Sequence, residues 1–516
     1  MKLNEWIEKS KEKKSKSINQ IAISEEKKEA TEPFNVEDLK KIFANNSDVV
    51  ISPSKYGQHE LTFIYCSGLV KTEMLFTTIP IILEKFFECH RDIPSEAFIQ
   101  QNLHIPSLRT IKNKENAVSE VFGGKLLLYF TMVNTFFMVD ISERPQRSPE
   151  DTKAESTILG PRDDFIEDLN VNYSLIRKRL RTPSLVFEEF TVGQRSNTKL
   201  LLLYMDDIAS KEILKEIKKK ISQISTDSLT SRTQFEELIN DHPYDLFPKH
   251  KYTGKPDFAV ESLLSGRFVI LIDGVATAYI TPITFHVLFK SNEDREVNYI
   301  FSSLERFLRV SGLLVSTLLP GFWISLTTFH QDQLPLTLLA TVVETRRGVP
   351  FPAPVEAFGM LLLFDLFREA GVRLPMAIGQ ILSVVGGLII GDAAIRSGLT
   401  SPSMLVIIAL STVSTFTLID QSVIGAISVI RFFSIIMGSI LGFFGVLMSF
   451  FILLSYMGSI QVFGVAYLDG MNEFNSGSFL KTFFRLPHSA LKSRPEGLNL
   501  QDETRKDDSD HNKTKG

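Results

Sequence analysis

Charged side chains are scarce in one long part of the chain. Residues 310–468 carry only 13 of them, about 8% of positions, and no lysine occurs between Lys290 and Lys481. The other 357 residues are charged at about 29% of positions. Helices of a soluble protein need a polar face. The deficit therefore excludes a wholly soluble protein and predicts an α-helical polytopic membrane domain over residues 300–470.

Other features are missing as well. The chain has only two cysteines, Cys66 and Cys89, which excludes a disulfide scaffold. Its net charge of −4 excludes the basic footprint of a nucleic-acid-binding protein. Nucleophile-elbow, phosphate-loop, His-Glu-x-x-His and paired Cys-x-x-Cys motifs are absent, and the nine histidines are scattered. We therefore predict no enzyme and no cofactor or metal site.

Both ends of the sequence are polar. The first 30 residues contain 8 lysines and 6 glutamates and lack the apolar core of a signal peptide, so residues 1–35 are expected to form a disordered cytoplasmic tail. Residues 471–516 are expected to be a second cytoplasmic tail, mostly disordered from about Ser489. With both ends on one side, the number of membrane crossings should be even, either four or six.

The remaining half alternates strand-like and helix-like segments. Residues 36–150 contain a strand pattern at His59–Cys66 and a hairpin pattern over 124–132 and 135–141. A polar linker rich in turn-forming residues separates this part from residues 160–290. The sequence predicts two soluble α/β subdomains, with the order of their strands left open.

One helix of the second subdomain is predicted in detail. Apolar residues recur at spacings of three and four over 165–180, after Asp163 and Asp164 at the helix start. Basic residues, Arg177 among them, are expected on the opposite, solvated face. This subdomain is expected to act in binding or assembly.

Four uncharged segments are candidate membrane crossings, namely residues 310–329, 376–391, 404–419 and 432–457. The piece over 330–375 differs from them, because Pro350, Pro352 and Pro354 interrupt it. A helix over 355–367, about 13 residues, is too short to cross alone. The sequence predicts about four to six helical segments, with 330–375 broken or re-entrant.

Charged side chains at membrane depth should face protein or water, because exposure to lipid is costly. Two interpretations are open: a buried charge network in which these groups pair with one another, or a direct part in an ion path. The network candidates are Glu344, Arg346, Arg347 and Arg373. The pore or gating candidates are Glu356, Met360, Leu362, Leu363, Asp365, Ser411 and Thr415. The hydroxyls of 411–417 could instead bond to their own helix backbone.

Small residues at a spacing of four predict close helix packing. One ridge consists of Gly379, Ser383, Gly387 and Gly391, and a second of Ser434, Gly438 and Gly442.

Several long segments carry a resemblance to a known family. They are GPRDDFIEDLNVNYSLIRKRLRTPSL (160–185), GRFVILIDGVATAYITP (266–282), HQDQLPLTLLATVVETRRGVPFPAPVEAFGMLLLFDLFREAGVRLP (330–375), IGQILSVVGGLIIGDAAIRSGLTSPSMLVIIALSTVSTFT (378–417) and RPEGLNLQD (494–502). In these segments the chain resembles the A subunits of GerA-type spore germinant receptors over about residues 35–500.

The resemblance implies a multi-pass protein of the spore inner membrane, with its large N-terminal region on the cytoplasmic side. It implies assembly with a transporter-like B subunit, which takes the nutrient, and with a lipoprotein C subunit. It also implies a homo-oligomeric, nutrient-gated channel for monovalent cations. Two other functions stay open, a non-conducting scaffold and a secondary transporter; the latter predicts repeated halves, and no internal repeat is visible.

Overall fold

The computed structural model describes residues 34–90, 95–143, 163–242, 244–291, 293–373, 391–469, 484–485, 487 and 493–505. Two five-stranded antiparallel sheets with flanking helices precede a region of apolar helices. This confirms the predicted fold class, two N-terminal α/β units followed by a helical domain. The predicted tail at 1–33, the linker at 144–162 and the segment at 374–390 lie outside the described residues.

The first sheet has the strand order β1-β2-β4-β5-β3. Its strands are β1 (Val49–Tyr56), β2 (His59–Cys66), β3 (Arg109–Ile111), β4 (Lys125–Phe130) and β5 (Thr135–Asp140). The predicted hairpin is confirmed as β4–β5, with Tyr129 opposite Phe136. Helices α1 (Val36–Ile42), α2 (Ile79–Cys89), α3 (Glu96–Asn102) and α4 (Lys114–Val121) surround the sheet.

The second sheet has the order β6-β7-β9-β10-β8. Its strands are β6 (Leu185–Val192), β7 (Thr198–Met205), β8 (Lys251–Thr253), β9 (Phe268–Ile272) and β10 (Ala278–Thr281). Its helices are α5 (Leu169–Arg179), α6 (Lys211–Gln223), α7 (Arg232–Ile239) and α8 (Pro256–Leu264). Every side chain of β9 is buried, as its continuous apolar run requires.

Two predictions for α5 are wrong. The helix starts later than predicted, because Asp168 caps it by accepting bonds from the amides of Asn170 and Val171. Asp164 is buried beside Lys255 instead. Arg177 is fully buried and not solvated, because it reaches into the first sheet domain.

Arg177 joins the two sheet domains. Its guanidinium bonds to Asp48, with Nε–Oδ2 at 3.0 Å, and lies over the ring of Phe122. Tyr173 donates to the same carboxylate at 2.5 Å, and Cys66 does so at 3.2 Å. A buried ion pair whose remaining donors and acceptors are satisfied fixes orientation, so the two sheets are held in one arrangement.

In the described part of the helical region the helices are α9 (Tyr299–Thr328), α10 (Leu336–Thr345), α11 (Ala353–Arg373), α12 (Gly391–Arg396), α13 (Pro402–Thr415), α14 (Gln421–Leu441) and α15 (Phe443–Ser459). Two helices in the described part of the chain, Tyr299–Thr328 and Ser422–Leu441, are long and apolar enough to cross a membrane. Pro320 lies inside α9.

Two predicted helices differ in the structure. The continuous helix over 432–457 is wrong: Gly442 adopts φ 62°, ends α14, and lets α15 fold back with Gly445 against the carbonyl of Met437. The short helix over 355–367 is part of the 21-residue α11, whose length is about 31 Å. This helix continues because its charged side chains have partners within the chain.

The helical region is attached to the second sheet at one end, which we call proximal. Arg309 of α9 bonds to Asp294 at 2.8 Å. Tyr456, near the end of α15, donates to Asp245 at 3.1 Å, and Tyr467 donates to the carbonyl of Pro248 at 3.0 Å. At the opposite, distal end, Gly442 lies against His330.

Residues 493–505 also dock on the second sheet domain, which corrects the prediction of disorder there. Leu500 packs on Gly266, and Gln501 bonds to the backbone of Ile208 and Ala209. Arg494 donates to the carbonyl of Leu264 at 3.0 Å and to the Asp502 carboxylate at 2.6 Å. The C-terminal segment therefore lies at the proximal end.

Close packing of α9 on α14 depends on Gly321. A Cβ at this position would lie 2.6 Å from the carbonyl oxygen of Ser434, whereas a Cβ on Gly425 of α14 would meet nothing within 4 Å. We expect Gly321→Ala to destabilise the protein by about 1–3 kcal/mol through overpacking. Gly425→Ala should have no such effect. Thermal unfolding in detergent measures both, and equal midpoints for the two variants would contradict the close contact.

Candidate functional site

Helix α11 carries two carboxylates into the apolar helical region. The Glu356 side chain is buried, and the residue is 3% exposed. Its Oε1 accepts hydrogen bonds from the backbone amide of Ser401 at 2.5 Å, the Ser401 hydroxyl at 2.6 Å and the Thr400 hydroxyl at 3.0 Å. Three donors on one oxygen hold this end of α11 firmly against the start of α13.

The position of Glu356 also suits the helix that it contacts. Ser401 is the N-cap of α13 and accepts a bond from the amide of Met404. A carboxylate at a helix N-terminus is stabilised by the unpaired amides and the helix dipole. The guanidinium of Arg346 lies 3.9 Å from the second oxygen, Oε2.

The second carboxylate, Asp365, lies about two and a half turns further along α11. It accepts a hydrogen bond from Arg431 of α14 at 3.2 Å and forms an ion pair with Arg368 of its own helix at 3.2 Å. Arg431 is fully buried. Arg368 also donates to the Ser428 hydroxyl of α14 at 3.4 Å. Two guanidinium groups and one carboxylate therefore lie together between α11 and α14.

Sequence reasoning named Arg346 as a member of the charge network, but it missed the donors to Glu356 Oε1 and the arginines that pair with Asp365. Arg431 is the only charged residue between Asp420 and Asp469, and a lone arginine in so apolar a run requires a partner. That signal could have pointed to Asp365. Ser401 could be found as a cap from its place before Pro402, but its pairing with Glu356 depends on the tertiary structure.

The predicted buried network takes a different form. Glu344 and Arg347 pair at 3.5 Å but are 72% and 81% exposed, so they are not buried. Arg346 approaches the buried carboxylate of Glu356. The Arg373 side chain lies outside the described residues. Glu356 and Asp365 have partners on different neighbouring helices.

The pore candidates of α11 occupy opposite sides of the helix. Met360 is buried in a cluster with Ile324, Met404 and Ile435, and Leu363 packs against that cluster. Leu362 is 58% exposed. It belongs to an exposed apolar row that we call the α11 stripe: Val355, Phe358, Leu362 and Leu366. The two carboxylates do not belong to this stripe.

The hydroxyl groups of α13 bond mainly to helix carbonyls. Ser411 donates to Ser316 of α9 at 2.9 Å, and Thr415 donates to Thr412 of its own helix at 2.6 Å. The Ser411 bond links α13 to α9, and the Thr415 bond lies within α13. Within this chain these groups therefore contribute to packing.

The predicted packing residues are spread over different contacts. Gly438 meets the carbonyl of Gly321, Gly442 forms the break between α14 and α15, and Gly391 lies against Leu405. Gly379, Ser383 and Gly387 lie outside the described residues.

A cluster of basic groups lies where the second sheet meets α9. Burial is the main cause that lowers the pKa of Lys290 to about 7, and the neighbouring cations Arg267 and Arg306 lower it further. Burial also lowers the pKa of Arg267 to about 10. Burial likewise holds the pKa of His286 well below its usual value. Among the described residues, no group of three His, Cys, Asp or Glu side chains is placed to hold a metal ion.

Residues 37–497 match the family model described as Bacillus/Clostridium GerA spore germination protein. Spore germination protein XA of Bacillus anthracis is 40% identical over 495 residues, which cover 94% of this chain and 99% of that protein. Spore germination protein KA of Bacillus subtilis (strain 168) is 31% identical, with coverage of 91% and 87%.

A solved structure also matches, the N-terminal domain of the A subunit of the Bacillus megaterium spore germinant receptor GerK3. It is 24% identical, has a TM-score of 0.40, and covers 50% of this chain and 98% of that one. The family match and the 40% identity over nearly the full length confirm the resemblance, and the chain belongs to the GerA family of spore germination proteins.

Proposed function

We propose that this chain is the A subunit of a nutrient germinant receptor in the spore inner membrane, and that copies of it form a cation channel whose opening starts germination. Membership of the GerA family supports the role in germination. The charges of α11 support the channel: this helix is long enough to cross the membrane, yet it carries Asp365, Arg368 and Glu369 with part of their surface exposed.

The path of the helices supports six crossings. Helix α9 leaves the proximal end, and α14 and α15 form an outward and a returning pair that turns at Gly442. Helix α11 starts beside Ser401 at the distal end and reaches Arg431 halfway down α14. Helix α13 also starts at the distal end, since its last turn lies against Gly312 of α9. The uncharged segment 376–391, which the sequence predicts as a crossing, then makes six.

An even number of crossings agrees with the docking of residues 493–505 on the second sheet, because this segment follows the helical region and lies beside the sheet domain that precedes that region. We assign that side to the cytoplasm. The distal loops around Gly348 and Gly398 then face the outside of the inner membrane, from which a nutrient arrives.

The channel axis is the place where copies of α11 meet. Partly exposed charges are costly in lipid and acceptable beside water. If neighbouring subunits surround the α11 stripe, Leu362 forms an apolar constriction that excludes water when closed. Glu369, exposed at the proximal end of the same face, adds an acidic ring that favours cations.

The partners follow from the same family. A transporter-like B subunit binds the nutrient, and a lipoprotein C subunit completes the receptor. Conformational change in the B subunit reaches α11 through the neighbouring helices, because Glu356 and Asp365 connect α11 to α13 and α14.

A second candidate is a non-conducting coupling subunit. The observation in its favour is that Glu356 and Asp365 both accept hydrogen bonds within the chain, so neither of these two has to line a path. Ion flux distinguishes it from the channel.

The topology is tested by labelling with a membrane-impermeant maleimide. Cys89 is exposed on the first sheet domain, and Arg347 is exposed in the distal loop. In intact protoplasts we expect Arg347→Cys, made with Cys89→Ser, to react from outside. The native Cys89 should react only after permeabilisation. The reverse pattern would contradict the assigned orientation.

Conduction is tested by potassium flux from liposomes that contain the purified chain. We expect Leu362→Ala to raise the flux, because a smaller side chain lets water into the constriction. Glu369→Gln should reduce the preference for potassium over chloride. The matched control is Ile436→Ala, a similarly exposed apolar residue on α14, which should leave the flux unchanged. No flux from any of these proteins would favour the coupling subunit.

A further inference from the structure

Two cationic side chains lie together where the second sheet leads into α9. Arg267 directly precedes β9, and the start of β9 pairs with the end of β10. The chain leaves β10 at that point and continues to Lys290, beside which Arg309 of α9 donates to the carbonyl of Phe289 at 3.0 Å. Arg267 is close enough to Lys290 for its charge to lower the pKa of the lysine. The two cations therefore share one site at the proximal end.

Neither of these two cations has a counter-ion. Among the described residues, no group forms a hydrogen bond or an ion pair with the guanidinium of Arg267 or with Nζ of Lys290. Arg267 is only 5% exposed, and of its three side-chain nitrogens only Nε is sealed from solvent. The Nη atoms, and Nζ of the partly exposed Lys290, remain within reach of a ligand. A largely buried cation without a partner is costly, and a bound anion would remove that cost.

The carboxylates in the neighbourhood do not supply that anion. Glu261, Asp294 and Asp469 influence the two cations, and each has contacts elsewhere in the chain. Asp294 forms ion pairs with two arginines of α9 at 2.7 and 2.8 Å, and Glu261 lies 3.8 Å from Arg505. None of the three bonds to Arg267 or Lys290, so both cations are available to an anion from outside the chain.

The site lies beside a surface suited to lipid. Helix α9 has 30 residues and is about 45 Å long, about 15 Å more than the hydrocarbon core of a bilayer. Its first turns, which directly follow the segment of Lys290, carry apolar side chains that are 53% to 62% exposed. We call them the α9 row: Ile300, Phe301, Leu304, Phe307 and Leu308. A lipid whose chains lie along this row has its headgroup near Arg267 and Lys290.

The two cations also suit a particular kind of anion. The planar guanidinium of an arginine contacts two oxygens of a phosphate side by side, and the ammonium of a lysine acts as a point charge on a third. Because Arg267 and Lys290 belong to different segments, they approach an anion from different directions. A tetrahedral phosphate presents oxygens to both.

We propose that Arg267 and Lys290 bind a phosphate group through the Nη atoms of the arginine and Nζ of the lysine. The group is carried by an anionic phospholipid or by a soluble phosphate, and the α9 row favours the lipid. When bound, it joins the start of β9 to the segment that leads into α9. The site does not depend on conduction by the chain, and its occupancy is measured separately from flux.

The test uses the full chain in phosphate-free dodecyl maltoside micelles and has two arms. The first compares dioleoyl phosphatidylglycerol with dioleoylglycerol, which has the same chains and no phosphate. The second compares inorganic phosphate with chloride at equal ionic strength. Affinity is read from the dependence of the thermal unfolding midpoint on ligand concentration. We expect phosphatidylglycerol to bind about tenfold or more tightly than dioleoylglycerol, because only the former completes charge-assisted hydrogen bonds.

Neutral variants separate binding from a structural role. Lys290→Met keeps the apolar stem of the side chain and removes a charge that has no partner, so the unfolding midpoint without ligand should not fall. The affinity for the phosphate group should fall about tenfold or more. Arg267→Met should weaken binding in the same way. The matched control is Lys211→Met, an exposed lysine elsewhere on the second sheet domain, which should bind like the parent.

A preference for phosphatidylglycerol that is lost in Lys290→Met would support the site and assign the lipid source. Saturable stabilisation by inorganic phosphate that is lost in Lys290→Met, without a lipid preference, would support the site and assign the soluble source. Equal binding of the two lipids together with no effect of phosphate would overturn the proposal. Unchanged affinity in Lys290→Met would overturn it as well.

Discussion

Helix α11 is held in position because its buried charged side chains need polar or oppositely charged partners in an apolar environment. Glu356 is held by the first turn of α13, and Asp365 is held by the buried Arg431 of α14. Removal of the Asp365 carboxylate would leave the buried Arg431 guanidinium without its counter-charge, a cost on the order of 3–5 kcal/mol. These two contacts therefore orient α11, bury Met360, and leave the α11 stripe largely exposed.

Buried ion pairs also connect the two sheet domains with each other and with the helices. Arg177 and Asp48 join the two sheets, and Asp294 of the second sheet domain accepts from Arg306 and Arg309 of α9. Residues 493–505 add a further connection on the second sheet domain. Contacts therefore connect both sheets with the start of α9, and α9 in turn contacts α13 and α14.

The sequence predicts those features that depend on local patterns. Alternation predicts the β4–β5 hairpin, and the lack of charge predicts the apolar helices. Features set by tertiary contacts are not predictable in this way. Arg177 looks solvated by its position on α5, and Gly442 looks like one more small residue in an uncharged run. The assignment of Glu356 and Asp365 as important charges came from the sequence, but their partners Ser401 and Arg431 came from the fold.

The central claim is that α11 stripes of neighbouring copies face a common axis. Disulfide crosslinking in membranes tests it most directly, with single cysteines placed in a chain that carries Cys66→Ser and Cys89→Ser. Leu362→Cys should form covalent dimers of the chain on mild oxidation, whereas Ile436→Cys, exposed on α14, should stay monomeric. Crosslinking at Ile436→Cys without crosslinking at Leu362→Cys would contradict the account and place a different helix at the axis.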